Sequence, residues 1–368
     1  MKRRDCILLN MSRARDWERG VVNRNYYIAN ELARSAQIRQ ILSVDLLPHS
    51  LRRATKMFFQ DIQRPAFERL IVHEPGRSYH LTTIMPILNE RLFVRRLTSS
   101  VRTLGFENPV LWSYLPTYVG VFRAFPSALK VFDAVDDWSA HPAYRTLKEK
   151  LSQNYDIIRR SADVIFTVSE QLQAKFAPHP RTYWVPNGID LERFQQPRTR
   201  PGRPCLIYVG VVQERVDLGL LERLARARPN YDVVIVGPVW RGINVDGLRQ
   251  LPNVRFTGFV AASQVPKLLS HATVGLVPHR QSQFVASMNP MKIYEYLAAG
   301  LPVVATHLKG FERFSAAVST TASSEEFLQA VDTAVAAAPD PERSRRLVAE
   351  HTWSSRFATM WRHLHAVL

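Results

Sequence analysis

The stretch SMNPMKIYEYLAAGLPVVAT, residues 287–306, decides the fold of this 368-residue chain. Asn289 and Pro290 predict a helix start, because asparagine accepts a hydrogen bond at an N-cap and proline fits the first helical position. Helix-forming residues follow, and Gly300 supplies the left-handed conformation that ends a helix. The apolar, β-branched run at 303–305 then predicts a strand buried on both faces, as in a parallel sheet.

Lys292 and Glu295 are spaced to share one face in the first half of this helix. A helix start attracts phosphate and a lysine strengthens the attraction, whereas a glutamate on the same face repels phosphate. Glu295 therefore suits hydroxyls just beyond the phosphates, as on a ribose. The pair predicts a site for a nucleotide diphosphate attached to another group, and a surface ion pair is the alternative.

The stretch resembles the donor-site signature of GT-B glycosyltransferases, in particular the large retaining family four and its bacterial polysaccharide relatives. The match is P-x-K-x-x-E-Y-x-A-x-G-x-P-V-V over residues 290–304, and weaker matches cover most of residues 130–310. In the family a lysine contacts the diphosphate of the sugar nucleotide and a glutamate contacts its ribose, roles that the resemblance gives to Lys292 and Glu295. The family's other glutamate, eight positions earlier, is Ser287 here. The resemblance therefore leaves retention or inversion open, although the family favours retention.

Composition indicates a soluble globular protein with two domains, since 46% of the residues are hydrophobic and 22% are charged. No apolar run approaches the ~20 residues of a membrane span, and the start, MKRRDCILLNM, predicts a first strand rather than a signal peptide. Cys6 and Cys205 indicate buried thiols in a reducing compartment. We expect a cytoplasmic protein, peripheral on the inner face of the membrane if it docks there. The sequence leaves its oligomeric state open.

The formal net charge is +17, which favours an anionic partner: a phosphorylated substrate, acidic lipid or nucleic acid. No helix-turn-helix, zinc-finger or RNA-recognition pattern is visible, so nucleic acid is not expected as a partner and stays a third hypothesis.

Apolar runs alternate with helical patterns, which predicts parallel sheets with helices on both faces. With the resemblance, this implies an α/β GT-B fold of two Rossmann-like, doubly wound parallel-sheet domains facing a central cleft. We predict an acceptor-binding domain over 1–196, a nucleotide-sugar-binding domain over 197–352, and a C-terminal helix over 353–368 that crosses back to the first domain. The first-half strands are predicted at Cys6–Leu9, Ile38–Val44, Leu70–His73, His80–Ile84, Val110–Tyr114, Leu129–Phe132, Val164–Val168 and Thr182–Val185.

The second half holds the predicted donor site. Gly210, at a strand end, lets a ligand approach the backbone closely, and Arg215 in the next loop suits a diphosphate. By the resemblance, the turn at Phe259 and Val260 lies beside the base, which we expect to be uracil. The full donor-binding set is Gly210, Arg215, Gly237, Phe259, Val260, Arg280, Ser287, Met288, Asn289, Lys292 and Glu295. For Arg280 a salt bridge at the rim is the alternative.

Three carboxylates, Asp133, Asp136 and Asp137, close a strand of the first half. Such crowding raises at least one pKa and provides candidates for a general base on an acceptor hydroxyl. Capping of the following turn is the alternative for Asp136 or Asp137. In a retaining reaction the donor diphosphate itself could take the proton. No metal or other cofactor is expected, since the donor signature already supplies a cation.

The polar loop 11–23 follows the first strand, and loops at strand carboxyl ends build ligand sites. Arg13, Trp17 and Arg24 are therefore the candidate acceptor-binding residues, with a solvated basic loop as the alternative. Basic and aromatic residues alternate irregularly over 47–70, and Arg91, Arg95 and Arg96 lie beside apolar residues in a similar pattern. Contact with an anionic membrane or packing on the parent domain explains this pattern equally well.

The resemblance implies a glycosyltransferase (a hexosyltransferase) that moves a sugar from a nucleotide diphosphate sugar, UDP-linked, to a glycan or lipid-linked acceptor in bacterial polysaccharide biosynthesis. No G-x-G-x-x-G motif follows the predicted strands, which disfavours a dinucleotide-binding oxidoreductase. The alternative from another class is a non-catalytic GT-B module that binds a sugar nucleotide or a partner protein, which Ser287 favours.

Overall fold

The computed structural model describes residues 3–18, 20–45, 77–81, 90–126, 128–199 and 201–367. The predicted strand at Leu70–His73, the end of the one at His80–Ile84 and the basic, aromatic stretch 47–70 lie outside those residues. The chain forms two compact units: Met1–Val185 with Phe357–Leu368, and Pro186–Arg356. The domain limits drawn from the sequence stay predictions.

The first unit is built on a seven-stranded parallel sheet in the order β3-β2-β1-β4-β5-β6-β7. Its strands are β1 Arg4–Leu9, β2 Ile38–Val44, β3 Arg77–Leu81, β4 Val110–Ser113, β5 Leu129–Ala134, β6 Val164–Thr167 and β7 Thr182–Trp184. Strands β4 and β6 are buried along their whole length, as apolar strands covered on both faces are. The helices of this unit are Ala14–Glu18, Arg24–Arg34, Glu90–Thr103, Val121–Ala124, Lys148–Ser161, Glu170–Phe176 and, from Phe357 on, the last helix Trp353–His365.

The second unit holds a six-stranded parallel sheet in the order β10-β9-β8-β11-β12-β13. Its strands are β8 Cys205–Val209, β9 Asp232–Val236, β10 Val254–Gly258, β11 Val274–Val277, β12 Val303–Thr306 and β13 Val318–Thr321. Its helices are Leu218–Ala227, Asp246–Arg249, Val265–Ser270, Gln283–Ala286, Met291–Ala298, Ser324–Ala336 and Pro341–Val348. The two sheets confirm the α/β class with two doubly wound, Rossmann-like domains.

The sequence missed strand β13. Its outer residues Val318 and Thr321 are buried while Ser319 and Thr320 are exposed, so the strand lacks the continuous apolar run that marked the others. Within the described part of the chain it pairs with β12 alone, as an edge strand does.

The structure corrects the predicted start of the helix Met291–Ala298. Pro290 occupies the N-cap, and Asn289 does not cap the helix. The Asn289 side-chain oxygen instead accepts a hydrogen bond from the backbone N–H of Asn187 at 2.9 Å, which the sequence could not reveal because the partners lie far apart in the chain. The predicted end is confirmed: Gly300 follows the helix with φ +77°, a conformation that favours glycine.

Three other features bear on the predictions. Both cysteines are free thiols; Cys6 is buried and Cys205 partly buried. The helix Glu90–Thr103 turns Phe93 and Leu97 into the first unit, as the packing alternative requires. Among the described residues, no helix combines the length and apolar character needed to cross a bilayer.

Candidate functional site

The centre of the second sheet brings two loops together. The strand order reverses between β8 and β11, and ligands in such sheets bind outside the carboxyl ends of the strands at this point. Gly210 directly follows β8, and His279 lies two residues beyond β11. An isolated antiparallel bridge joins Val216 to His279, so the loops after the two strands run side by side.

Two glycines allow the backbones at this edge to meet. Gly210 has φ +145° and Gly237 has φ +135°, both in the region that side chains disfavour. A Cβ on Gly237 would lie 2.2 Å from the carbonyl oxygen of Gly210, and a Cβ on Gly210 would lie 3.3 Å from Nζ of Lys292. Gly237 therefore lets its backbone approach that of Gly210, and Gly210 leaves room for the side chain of Lys292.

Lys292 lies in the resulting hollow and is only 8% exposed. Its Nζ is 3.4 Å from Nε2 of His279 and 4.8 Å from the centre of the Tyr208 ring. Burial, and then the positive charge of Arg215, lower the Lys292 pKa to about 7, while Glu295 opposes the shift. A surface ion pair, the alternative drawn from the sequence, is therefore not what the structure contains.

His279 is buried and has a pKa well below its ordinary value, because of burial first and then the charges of Lys292 and Arg215. The ring is therefore neutral, with Nε2 as the atom that accepts from the lysine. Its Nδ1 has no hydrogen-bond partner among the described residues. A buried donor of this kind is costly to leave unsatisfied, so it is a group that a ligand can use.

Arg215 lies half-buried at the same hollow. With the Gln213 amide oxygen turned towards it, the guanidinium donates through Nη1 at 2.9 Å. Its backbone carbonyl accepts from the N–H of Arg280 at 2.8 Å, while the Arg280 side chain is exposed. The structure thus brings Arg215 beside Lys292 and leaves Arg280 at the rim.

Glu295 lies one turn beyond Lys292 on the same helix and is partly exposed. Burial raises the pKa of its carboxyl, and the positive charges of Arg193 and Lys292 oppose the shift. Its carboxylate makes no hydrogen bond or ion pair with any of the residues that the structure describes. It remains available to hydroxyl donors, and its contact with a ribose stays a prediction.

Of the other predicted donor residues, Ser287 and Asn289 are hydrogen-bonded within the protein and Phe259 is exposed. The Ser287 hydroxyl donates to the carbonyl of Phe284 at 2.7 Å, and Ser287 is 1% exposed. Asn289 is bonded to Asn187 through its side chain and its backbone carbonyl. Phe259 is 55% exposed after Gly258, and Val260 and Met288 are half-buried. Their contacts with a donor stay predictions.

In the first unit, the predicted base Asp133 is completely buried and faces Arg24. Both carboxylate oxygens accept from Arg24 Nε at 3.0 Å, and Arg24 Nη1 donates to the carbonyl of Val185. Burial raises the Asp133 pKa, and the arginine opposes the shift. The structure joins a predicted base to a predicted acceptor residue, in a pair closed to solvent.

Among the remaining first-unit candidates, Asp137 is also buried, whereas Asp136, Arg13 and Trp17 are partly exposed. Asp137 accepts from Lys175 at 2.7 Å and from the Ser139 hydroxyl at 2.6 Å, a turn-stabilising arrangement, and Asp136 is half-buried. Arg13 pairs with Asp16, and Trp17 donates to the Ser12 hydroxyl at 2.8 Å. Over the described ranges, no three His, Cys, Asp or Glu side chains form a group that could hold a metal.

Comparison with known proteins agrees with this arrangement. The family model described as glycosyl transferases group 1 matches residues 203–337, the stretch that contains the hollow around Lys292. Sucrose-phosphate synthase from Thermosynechococcus elongatus superposes with a TM-score of 0.73 over 100% of both chains, at 17% identity. The chain has the α/β fold of the GT-B glycosyltransferases.

Two further proteins are similar to this chain, one in sequence and one in fold. TuaH of Bacillus subtilis strain 168, assigned to teichuronic acid biosynthesis as a glycosyltransferase, is 23% identical over 336 residues, 84% of this chain and 83% of its own. Anabaena Alr3699/HepE, solved with UDP-glucose, has a TM-score of 0.67 at 14% identity, over 98% of this chain and 99% of its own.

The sequence analysis missed two residues of the hollow, His279 and Tyr208. A signal for His279 existed: it follows a buried strand at the point where the strand order reverses. That order is a property of the folded sheet, so the signal could be used only with a topology in hand. For Tyr208, inside an apolar strand, no local signal separates a core residue from one beneath a lysine.

Proposed function

We propose that this glycosyltransferase is a hexosyltransferase that moves a sugar from a UDP-linked donor to a glycan or lipid-linked acceptor in bacterial polysaccharide biosynthesis. The observation that carries the proposal is the meeting of Lys292, His279 and Arg215 in one hollow, with the free carboxylate of Glu295 one turn away. Clustered cations without an internal anion suit a diphosphate, and a carboxylate beyond them suits a ribose.

The chemistry that this hollow supports is stabilisation of the leaving diphosphate. Negative charge grows on the phosphate oxygen as the bond to the sugar breaks, and in this proposal Lys292 and Arg215 balance that charge without a metal. The acceptor hydroxyl would lose its proton to Asp136, the half-buried member of the three aspartates, in an inverting reaction. In a retaining reaction, which we favour from the resemblance, the diphosphate takes that proton.

Two relatives support the choice of donor and setting. HepE was solved with UDP-glucose, and TuaH is assigned to the synthesis of a bacterial polysaccharide. Two free cysteines are typical of a reducing compartment, so we place the reaction in the cytoplasm, at the inner membrane face where the acceptor is lipid-linked.

The test is donor binding followed by turnover on the full chain. We expect UDP and one UDP-sugar to raise the unfolding temperature most within a panel of nucleotide sugars, and that UDP-sugar to be hydrolysed slowly or transferred, equally well with EDTA. Absence of binding across the panel would reject the proposal. Tight binding with neither transfer nor hydrolysis would favour the non-catalytic module, which the serine at 287 makes the second candidate.

A further inference from the structure

A second cationic hollow lies in the first unit, at the amino ends of β5, β6 and β7. This basic pocket has a volume of about 730 Å³ and is open to solvent. Five of the residues that line it carry positive charge, and one carries a carboxylate: Arg123, Lys130, Arg159, Arg160, Arg181 and Asp163. Ligand loops of parallel sheets follow the carboxyl ends of the strands, so this pocket is separate from the acceptor candidates of the same sheet.

The single carboxylate does not neutralise the pocket. Asp163 Oδ2 accepts from the backbone N–H of Lys130 at 2.8 Å and forms no ion pair with a side chain of the described residues. Arg159 pairs with Asp156, on its own helix. For Arg123, Lys130 and Arg160 the described part of the chain offers no carboxylate partner within ion-pair distance. Like charges gathered in a concave surface create a field that attracts anions.

Arg181 is held ready for a ligand by its surroundings. The buried ring of His179 accepts from the Arg181 backbone N–H at 3.2 Å, and its other nitrogen lies 3.0 Å from the carbonyl of Ala162. Arg181 Nε donates to the carbonyl of Asp163 at 2.8 Å. Because burial lowers the His179 pKa, the ring stays neutral and keeps this arrangement. The fork of Arg181 therefore projects from a fixed backbone, with Nη groups that no described residue engages.

We propose that the basic pocket binds a phosphate-bearing anion. Four arginines and a lysine from two helices, one strand and one loop converge on it, and planar guanidinium forks match the oxygens of a phosphate. The anion is either a soluble phosphate compound or the phosphate of an anionic lipid headgroup. Because the pocket lies away from the carboxyl ends of the strands, the anion holds or regulates the enzyme and takes no part in transfer.

The test compares two double variants of the full chain that lose equal charge. Arg123→Ala with Arg160→Ala removes two pocket cations, and Arg255→Ala with Arg346→Ala removes two exposed cations of the second unit. The first arm titrates inorganic phosphate at low ionic strength, and the second sediments each protein with phosphatidylglycerol or phosphatidylcholine vesicles. UDP affinity, measured on the same preparations, should be equal in all three proteins because neither pair touches Lys292.

The pocket variant should lose roughly tenfold in anion affinity, the value expected for two solvent-exposed ion pairs, while the control stays near wild type. A loss in the phosphate arm identifies a soluble ligand, and a loss confined to phosphatidylglycerol vesicles identifies a headgroup. An equal loss in both variants would mean that net charge alone attracts the anion and would overturn the proposal. So would unchanged anion binding accompanied by a lower unfolding temperature, since the arginines would then only stabilise the ends of their helices.

Discussion

The ammonium nitrogen of Lys292 lies 3.4 Å from Nε2 of His279, in a hollow where both side chains are more than nine-tenths buried. The sequence does not indicate that the two residues meet, because Lys292 lies on a helix and His279 in the loop after a strand. Burial of Lys292, and then the positive charge of Arg215, lower the lysine pKa to about 7, which gives the site a titratable cation in the physiological range.

Donor binding should therefore weaken as the pH rises. A bound diphosphate favours the protonated lysine, so above the free-protein pKa of about 7 the binding must take up a proton. We expect the Kd for UDP to rise by up to about tenfold per pH unit between pH 7 and 9. Calorimetry between pH 7 and 9 measures this change in the Kd for UDP.

The control for this prediction is Lys292→Arg, whose guanidinium keeps its charge and should bind UDP with little pH dependence. A Kd that does not change with pH in the wild type would contradict the lowered pKa of Lys292.

The lowered pKa of Lys292 also affects the stability of the free protein. The unfolded lysine titrates near 10.5, so unfolding takes up a proton between pH 7 and 10.5, and this group's contribution to stability rises with pH there.

Glu295 should act on the ribose and Lys292 on the diphosphate. Lys292→Ala and Glu295→Gln should each lower transfer by more than about tenfold, mainly through donor affinity. The affinities for UDP and 2′-deoxy-UDP separate the two roles. The wild type and Lys292→Ala should bind UDP more tightly than 2′-deoxy-UDP, and Glu295→Gln should bind the two equally.

Glu325→Gln is the matched control, an exposed glutamate on another helix of the same unit. It should behave as the wild type in both assays. If Glu295→Gln kept its preference for UDP over the deoxy compound, the assignment of Glu295 to the ribose would be wrong.

Gly237→Ala should destabilise the second unit. The new Cβ would meet the Gly210 carbonyl at 2.2 Å, and φ is +135°, so the backbone must move. We expect a loss of about 3 kcal/mol and a Tm lower by roughly 6–12 °C.

Gly219→Ala is the comparison, since Gly219 lies in the helix Leu218–Ala227 and its Cβ would approach only Asp217, at 3.5 Å. There we expect a gain of up to about 1 kcal/mol, because alanine favours the helix. Equal effects of the two substitutions would show that the close approach at Gly237 does not matter.

Asp133→Ala should unfold the first unit more readily, because it leaves the buried Arg24 charge without its partner. Breaking such a pair costs about 3–5 kcal/mol, whereas replacing both residues by apolar ones, as in Arg24→Met with Asp133→Leu, should restore much of the stability. Thermal unfolding of the single and double variants measures this. If Asp133→Ala abolished transfer while leaving Tm unchanged, Asp133 would be a base and not a structural partner.

Much of the fold could be predicted because its signals are local. Apolar β-branched runs located the strands in the described residues, with ends within a few residues, and Gly300 located a helix end through its own conformation. Strand β13 was not predicted because this edge strand exposes its two central residues and so lacks a continuous apolar run. The N-cap at Asn289 was wrong because a distant partner, Asn187, takes its side chain.

The candidate site shows the same difference between local signals, which the sequence contains, and contacts between distant residues, which it does not. Spacing placed Lys292 and Glu295 on one face, and a strand end placed Gly210 beside a loop with Arg215. Nothing in those spacings could show that His279 stands next to Lys292, or that Asp133 is closed against Arg24. Lys292 meets a buried histidine in one case and Asp133 meets a buried arginine in the other, according to what packs against each residue.

By itself, the order of residues determined the alternation of strands and helices, the break at Gly300 and the chemical types available at each strand end, since dihedral preference and periodicity act over a few neighbours. Only the tertiary structure decided which charges meet, how deeply each is buried and therefore where Lys292 titrates. Those properties depend on solvent exclusion and on Coulomb interactions between groups far apart in the chain, which no local pattern records.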